Sequence, residues 1–194
     1  MKLLKKRKFA ILITVVVAIA ATLFGAYRTA ERQTREIEAM FYDGVYLKDQ
    51  GYTQPGINSH LTNMANAALG LAVTLEKYHE LEEYTDEILS CRRALIDSAS
   101  ISDMALACVG VYGSSLYLRN KLDETETIVT EKDNDAVVYY TATIYGAYIS
   151  AFNGRYNDKV EEYLESRSAI VSLIGQVLPL KEPELFYYPY PMLF

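Results

Sequence analysis

The residue types that most often carry chemistry are few in this chain, and their spacing matches no familiar site. The two histidines, His60 and His79, stand 19 residues apart, and neither belongs to an H-x-x-x-H pair. The two cysteines, Cys91 and Cys108, lack the C-x-x-C spacing typical of zinc and redox sites. Ser59 directly precedes His60, but a catalytic triad requires an arrangement in space rather than adjacency in sequence. We therefore interpret both histidines as ordinary helix residues.

Two acidic runs could bind cations weakly, but neither has the companions of a defined metal site. These runs comprise Glu80, Glu82, Glu83, Asp86 and Glu87, and then Glu161, Glu162 and Glu165. No pair of E-x-x-H motifs accompanies them, so a ferritin-like di-iron site has no support. Gly110 and Gly113 lack the lysine and the spacing of a phosphate-binding loop. The sequence thus predicts no catalytic, cofactor-binding or metal-binding residues, no cofactor, and a protein that is not an enzyme.

Charge is distributed very unevenly along the chain. Residues 1–8 contain five of the 19 basic residues and none of the 25 acidic ones, although the net charge is −6. The remainder is therefore strongly acidic, which argues against nucleic acid as a partner, because nucleic acid requires a basic surface. An acidic body would also be repelled by an anionic bilayer surface. Solubility is the simplest interpretation of this charge.

A long apolar run follows the basic N-terminus and predicts a transmembrane helix. Residues 9–27 contain no charged side chain and are bounded by Lys8 and Arg28. As a helix this segment would be about 28 Å long, close to the roughly 30 Å hydrocarbon core of a bilayer. Five basic residues precede the run, whereas Arg28, Arg32 and Arg35 follow it among glutamates. The positive-inside rule therefore predicts a plasma-membrane protein with residues 1–8 in the cytoplasm and the remainder outside.

Two features of this topology leave alternatives open. Ala18 and Ala20 form an A-x-A site, so residues 9–17 could be the apolar part of a cleaved signal peptide. The apolar run continues to Tyr27, however, and this length favours a retained anchor. Cys91 and Cys108 could form one disulfide in a domain outside the cytoplasm, but small buried thiols are the simpler interpretation.

The body, residues 28–178, is predicted to be a bundle of long antiparallel helices. The first helix continues from the membrane segment through residues 28–50, and Gly51, Pro55 and Gly56 then interrupt the chain. A seam of apolar residues at spacings of three and four predicts helical structure from about 59 to 97. A turn at residues 97–102 precedes a helix from about 103 to 120. The polar stretch around 118–135 is the best candidate for an irregular connection, and no strand pattern of useful length is present.

The last helix is predicted to run unbroken from about 134 to 178. On a helical wheel with Tyr145 at zero, most large apolar residues of this region fall within about 60° of zero. They are Val138, Tyr148, Ile149, Phe152, Tyr156, Val160, Tyr163, Ile170, Ile174 and Val177. Asn153-Gly154 is a strong turn signal, yet the phase of the stripe continues through it. A glycine costs a helix only about 1 kcal/mol, so the stripe favours one continuous helix that ends before Pro179.

The segment YNDKVEEY, with the apolar run and KEPELF after it, resembles the LemA family of membrane-anchored helical bundle proteins. Members typically carry a Tyr-Asn pair, a valine three residues after the Asn, a second Tyr, and a tail with Pro and Phe. Here these fall on Tyr156, Asn157, Val160, Tyr163, Pro183 and Phe186. INSHLTNMANAALGL and CRRAL resemble the family's second helix and its Ala-Arg segment. Leu164 and Val171 depart from the family's usual Asn and Pro, as in a divergent member. The resemblance implies a LemA-like long-helix fold and a membrane address, and no catalytic residues.

The tail, residues 179–194, is rich in proline and tyrosine and is not expected to be helical. Its aromatic residues Phe186, Tyr187, Tyr188 and Tyr190 are predicted to fold back over the end of the bundle. An exposed docking segment for a partner or a membrane interface, or a disordered tail, is the alternative. The chain as a whole is predicted to be an all-α, single-pass membrane protein that binds the bilayer through residues 9–27. We expect a scaffold or accessory factor of a bacterial cell envelope, acting through a protein partner or self-association, and the alternative is an extracytoplasmic sensor or ligand-binding bundle.

Overall fold

The computed structural model describes residues 2–124, 129–167, 171, 175 and 180–187, with the side chains of residue 7 and of residues from 9 onward within these ranges. This part of the chain is mostly helical, as predicted. Its helices are α1 (Lys2–Asp43), α2 (Ile57–Leu75), α3 (Glu82–Asp97), α4 (Ile101–Glu124), α5 (Glu131–Phe152) and α6 (Tyr156–Ser166). Two short strands, β1 (Val45–Leu47) and β2 (Tyr52–Gln54), form an antiparallel hairpin between α1 and α2.

Helix α1 is a single unbroken helix of 42 residues, about 63 Å long. Its apolar first half is apolar enough to cross a membrane and has none of its surface buried against the described protein. Its second half buries Ala30, Thr34, Ile37 and Phe41, which recur at spacings of three and four and so lie on one face. The same helix therefore combines a candidate membrane span with a contact surface for the rest of the protein.

Helices α2, α3, α4 and α5 pack against one another as a four-helix bundle. Helix α2 lies at its centre, because it packs closely against both α3 and α5 and buries nine of its residues. Gly70 allows α5 to pack closely against α2, because a Cβ at this position would lie 2.4 Å from the ring of Tyr140 in α5. Helix α4 also has the length and hydropathy of a membrane span, but 44% of its apolar window is buried, as in a core helix.

Two interruptions of the predicted helices lie between α1 and α3. Helix α1 ends at Asp43 rather than near residue 50, because Gly44 has φ of 93° and opens the β-hairpin. Any Cβ at Gly44 would lie 2.0 Å from the carbonyl oxygen of Gln54, so only glycine fits there. The segment 59–97 is also not one helix, because the chain turns after Leu75 and forms a short 3-10 helix, His79–Leu81, before α3. The seam continues across this turn because α2 and α3 each bury an apolar face.

The prediction of one helix from 134 to 178 is wrong. Helix α5 ends at Phe152, Asn153 caps it, and α6 begins at Tyr156. The wheel failed because α5 is apolar on more than one face: Val138, Tyr145 and Ile149 are exposed, whereas Val137, Ile144 and Ala151 are buried. The buried face of α5 lies roughly 100° from the predicted stripe, so the phase does not continue into α6. The Asn-Gly turn signal indicated the break correctly, and residues 168–170, 172–174 and 176–178 of the predicted helix lie outside the described residues.

A hydrogen-bonded cluster joins the turn after α2 to the N-terminal end of α5. The carboxylate of Asp133 accepts a hydrogen bond from the hydroxyl of Tyr78 at 2.7 Å and pairs with the ammonium of Lys77 at 2.7 Å. The hydroxyl of Thr130 also donates to this carboxylate, and Thr130 is the N-cap residue of α5. Together these bonds lower the pKa of Asp133, with the hydrogen bond from Lys77 the largest cause.

Truncation of a buried leucine of α2 should destabilise the fold more than truncation of an exposed leucine of the same helix. Leu71 is fully buried, whereas Leu69, two residues away, is 39% exposed. We expect Leu71→Ala to lower the free energy of unfolding by about 2–5 kcal/mol, because it leaves a cavity. The matched Leu69→Ala should cost clearly less in chemical denaturation of the detergent-solubilised chain. Equal losses for the two variants would contradict the packing of α2 described above.

The Asp133 cluster should make stability depend on pH in the acid range. Because the folded pKa of Asp133 is lowered, its contribution is complete above the unfolded pKa of about 4 and decreases as the pH falls below that value. Asp133→Asn should therefore lower the thermal midpoint at about pH 7, and the gap to the unmodified chain should narrow below about pH 4. The matched change of the exposed Asp135 to Asn should leave the midpoint and its pH profile nearly unchanged. A gap that stays constant down to about pH 3 would contradict this role of Asp133.

Candidate functional site

The described part of the C-terminal tail, residues 180–187, lies where α1, α4, α5 and α6 meet. We call this segment the strap. It contains no regular secondary structure, as expected for a proline-containing tail, yet Phe186 within it is fully buried. The prediction that the tail folds back is thus confirmed for Phe186. Tyr187 is 61% exposed and does not share this burial, and Tyr188 and Tyr190 lie outside the described residues.

The side chain of Phe186 completes an aromatic cluster between α1 and the bundle. Its ring lies 5.9 Å from the ring of Phe41 in α1 and 4.9 Å from that of Phe152 at the end of α5. The ring of Tyr156 in α6 lies 5.4 Å from that of Phe41, at an interplanar angle of 70°. Such tilted and edge-on pairs contribute about 0.5–1.5 kcal/mol each beyond their buried area. One strap residue therefore joins elements from both ends of the chain.

The first two residues of α6 hold the backbone of the strap. The side-chain amide of Asn157 donates to the carbonyl oxygen of Phe186 at 2.8 Å and accepts from its backbone N–H at 2.9 Å. The hydroxyl of Tyr156 donates to the carbonyl oxygen of Glu184 at 2.7 Å. Burial, with the nearby charges of Glu38 and Glu184, raises the pKa of Tyr156, so its hydroxyl keeps its proton and remains a donor.

The side chain of Glu184 binds the N-terminus of α4. Its carboxylate accepts hydrogen bonds from the backbone N–H groups of Ile101 at 2.9 Å and Ser102 at 3.4 Å. The first N–H groups of a helix have no partner within the helix, and the helix dipole places partial positive charge there. A carboxylate satisfies both, so Glu184 caps α4 from a distance of more than 80 positions along the chain.

Ion pairs and one hydroxyl secure the other end of the strap. Lys181 pairs with Glu38 of α1, with 2.7 Å between Nζ and Oε1, and this bond raises the pKa of Lys181. The hydroxyl of the buried Thr34 donates to the carbonyl oxygen of Lys181 at 3.2 Å. Arg167, just after α6, pairs with Glu182. Each pair has one partner whose side chain is at least half exposed, and solvent-exposed ion pairs are worth at most about 1 kcal/mol. The buried contacts of Phe186 and Asn157 therefore dominate.

The arrangement holds an extended segment of the chain through backbone and side-chain contacts. The side-chain amide of Asn157 pairs two backbone groups of the strap. The ring of Phe186 is enclosed, and the carboxylate of Glu184 caps α4. These features position an extended backbone and an aromatic side chain. The strap site is therefore occupied by an extended segment of its own chain.

The residues first considered for chemistry are not brought together. His60 lies in the first turn of α2 and His79 beyond its other end, so the two histidines are separated by the length of that helix. Cys91 and Cys108 are both free thiols. Burial raises the pKa of Cys108 to about 12, so this thiol is not ionised at neutral pH. Within the described residues, no group of three or more His, Cys, Asp or Glu side chains could hold a metal ion.

Sequence reasoning located several residues of the strap site without identifying what they do. Tyr156, Asn157, Tyr163 and Phe186 belong to the motif that carries the LemA resemblance, and in the structure they lie around the strap. The predicted helix from 134 to 178 placed Asn157 in a helix interior, and the sequence assigned no role to Glu184. The signal for Asn157 was its place directly after the Asn153-Gly154 turn, at the start of a helix. No local signal marked Glu184.

Removal of the Asn157 amide should release the strap. In Asn157→Ala, the N–H and carbonyl groups of Phe186 lose their partners, and an unpaired buried polar group costs about 1–3 kcal/mol. We expect hydrogen exchange of the Phe186 amide to accelerate about tenfold or more, since about 1.4 kcal/mol corresponds to tenfold. The matched change of the exposed Asn134 in α5 to Ala should leave this exchange unchanged. Unchanged protection in Asn157→Ala would show that the amide does not hold the strap.

Comparisons with known proteins were made at the level of family, sequence and structure. No protein-family model, curated protein or solved structure matches this chain.

Proposed function

We propose that this protein is a non-enzymatic, single-pass membrane protein that presents a helical bundle and acts through protein–protein contact as a scaffold or accessory factor of a bacterial cell envelope. The observation that carries the proposal is the continuity of α1. Its apolar half is exposed in large side chains such as Phe9, Ile11 and Phe24, and its second half packs against the bundle through Phe41. A helix with so much exposed apolar surface requires a bilayer or a partner to cover it.

The charges near α1 support an orientation with the N-terminus in the cytoplasm and the bundle outside. Residues 1–8 carry basic charge without any acid. Of the arginines that follow the span, Arg32 pairs with Glu36 and Arg35 with Glu31, so acidic neighbours offset their charge. The excess of uncompensated positive charge therefore lies before the span, and the positive-inside rule assigns that end to the cytoplasm.

Membership of the LemA family is part of this proposal. The motif residues Tyr156, Asn157 and Phe186 contact one another or the same backbone segment. A spatial role of this kind gives a physical reason for such a motif, because each residue is needed to hold the tail against α6. The order of a basic N-terminus, an apolar helix, a helical bundle and a packed tail also fits the family.

A role in contact with other proteins fits the chemistry of the described surface. The body is acidic, and the strap site shows that this fold can hold an extended segment through Asn157 and Tyr156. The strap site is built for recognition, with backbone pairing and an enclosed aromatic side chain, and these are the features of peptide binding.

The second candidate function is an extracytoplasmic sensor or ligand-binding bundle, and one groove favours it. A groove of about 310 Å³ between α4 and α5 is lined largely by apolar and aromatic side chains, including Tyr112, Leu116, Val138 and Tyr145. Small ligands bind in concave apolar sites of comparable size. A thermal-shift screen should then find small molecules that raise the melting temperature of the unmodified chain but not of a Val138→Arg variant.

Labelling of introduced cysteines from one side of the membrane tests the proposed topology. Cys91→Ser removes the half-buried native thiol, and the buried Cys108 should remain unreactive. In this background, Glu87→Cys places a thiol on the exposed surface of α3, and Lys2→Cys places one at the N-terminus. A membrane-impermeant maleimide applied to spheroplasts should label the Glu87→Cys variant at once and the Lys2→Cys variant only after lysis.

The same samples distinguish the competing topologies. The Cys91→Ser chain alone gives the background, because Cys108 is its only thiol. Labelling of the Lys2→Cys variant in spheroplasts, with the Glu87→Cys variant protected, would overturn the orientation. An intact mass that lacks the first 20 residues would show a cleaved signal peptide in place of an anchor.

A further inference from the structure

The strap is held in the way that a separate peptide ligand would be held. We define the strap groove as the surface that contacts it, formed by Thr34, Phe41, Phe152, Tyr156, Asn157 and the N-terminus of α4. Asn157 pairs both backbone groups of one strap residue, which gives affinity for any extended segment. The enclosure of Phe186 and the binding of Glu184 at a helix N-terminus give specificity for a Glu two positions before a Phe.

Nothing in these contacts requires that the strap belong to the same chain. The strap is eight residues long and has no helix or strand of its own. Within the described residues, it is held by its contacts with the groove and by the ion pairs of Lys181 and Glu182. When two copies exchange an identical element, each regains every contact it gives up. Exchange therefore costs no contact energy and depends on how often a second strap meets the groove.

Membrane anchoring would make such meetings frequent, and this step rests on the proposed function. Copies that share one bilayer present their strap grooves at the same height, because α1 is one unbroken helix from the span to Phe41. Confinement of this kind raises the effective concentration of one site near another without any new contact.

We propose that the strap groove is an exchangeable peptide-binding site whose partner is the strap of a second copy of this chain. The ligand it selects is an extended segment with a Glu two residues before a Phe, as in Glu184 and Phe186. Exchange links copies pairwise when it is reciprocal and into longer assemblies when it is not. The groove would then be the contact surface through which the anchored bundles associate.

A mixture of two complementary variants tests this exchange in the full chain. Phe186→Ala damages the strap and leaves the groove intact, whereas Asn157→Ala damages the groove and leaves the strap intact. In each variant alone, the pairing of strap and groove is impaired both within one copy and between copies. In the mixture, the groove of Phe186→Ala can bind the strap of Asn157→Ala. We expect affinity-tagged Phe186→Ala, purified in detergent, to capture untagged Asn157→Ala.

The control for capture is the untagged double variant Asn157→Ala with Phe186→Ala, which carries no intact strap. Capture of the single variant should exceed capture of the double variant about tenfold or more, the ratio that corresponds to about 1.4 kcal/mol of lost aromatic packing. Equal capture of the two, with all variants helical by circular dichroism, would overturn exchange between copies.

Milder variants keep the test decisive if the alanine variants do not fold. Phe186→Leu keeps part of the apolar volume, and Asn157→Asp keeps the acceptor for the Phe186 N–H while it loses the donor to the carbonyl oxygen. The same complementary capture is expected from this pair, and its absence in folded protein would overturn the proposal. Failure of capture would leave the cysteine-labelling result for the membrane anchor untouched, so the two proposals can fail separately.

Discussion

Phe186 joins three parts of the protein that otherwise meet over a limited surface. Helix α1 contacts the four-helix bundle mainly near its C-terminal end, and α6 runs beside α1 rather than within the bundle. The ring of Phe186 lies between Phe41 of α1 and Phe152 of α5, and its backbone is paired by Asn157 of α6. The position of the bundle relative to α1 therefore depends on a residue of the strap. The strap is a structural element of the junction rather than an appendage.

The strap satisfies polar groups that the helices leave open, and this explains why a segment without regular structure is held so closely. At the N-terminus of α4, Ser100 accepts from the N–H of Asp103, and the carboxylate of Glu184 accepts from the N–H groups of Ile101 and Ser102. The strap's own backbone has no strand to pair with, and Asn157 and Tyr156 pair it instead. The strap supplies a hydrogen-bond acceptor to α4, and α6 supplies hydrogen-bond partners to the strap backbone. The same mutual fit is what would allow a second copy to supply the segment.

The parts of the fold that could be predicted from sequence are those with an unambiguous local pattern. The uncharged run at residues 9–27 predicted a long N-terminal helix, and spacings of three and four around Leu61, Leu71 and Leu75 predicted the packed helices. The β-hairpin was missed because three-residue strands are too short to show alternation. The continuous helix was predicted wrongly because α5 carries apolar residues on its exposed face, among them Tyr145, and the wheel counted them as core. Asn157 binds the backbone of Phe186, and Glu184 caps α4, so both contacts join residues far apart in sequence. No local pattern encodes such pairs.

The central claim is that Phe186 packs between α1 and the end of α5. Nuclear Overhauser effects between phenylalanine ring protons test it most directly, in a nanodisc sample labelled selectively on phenylalanine, with Phe41→Leu, Phe152→Leu and Phe186→Leu variants to assign the signals. The account predicts cross-peaks from Phe186 to both Phe41 and Phe152, whose ring centres lie 5.9 and 4.9 Å away. Absence of both cross-peaks in a sample whose helical content is intact would contradict it.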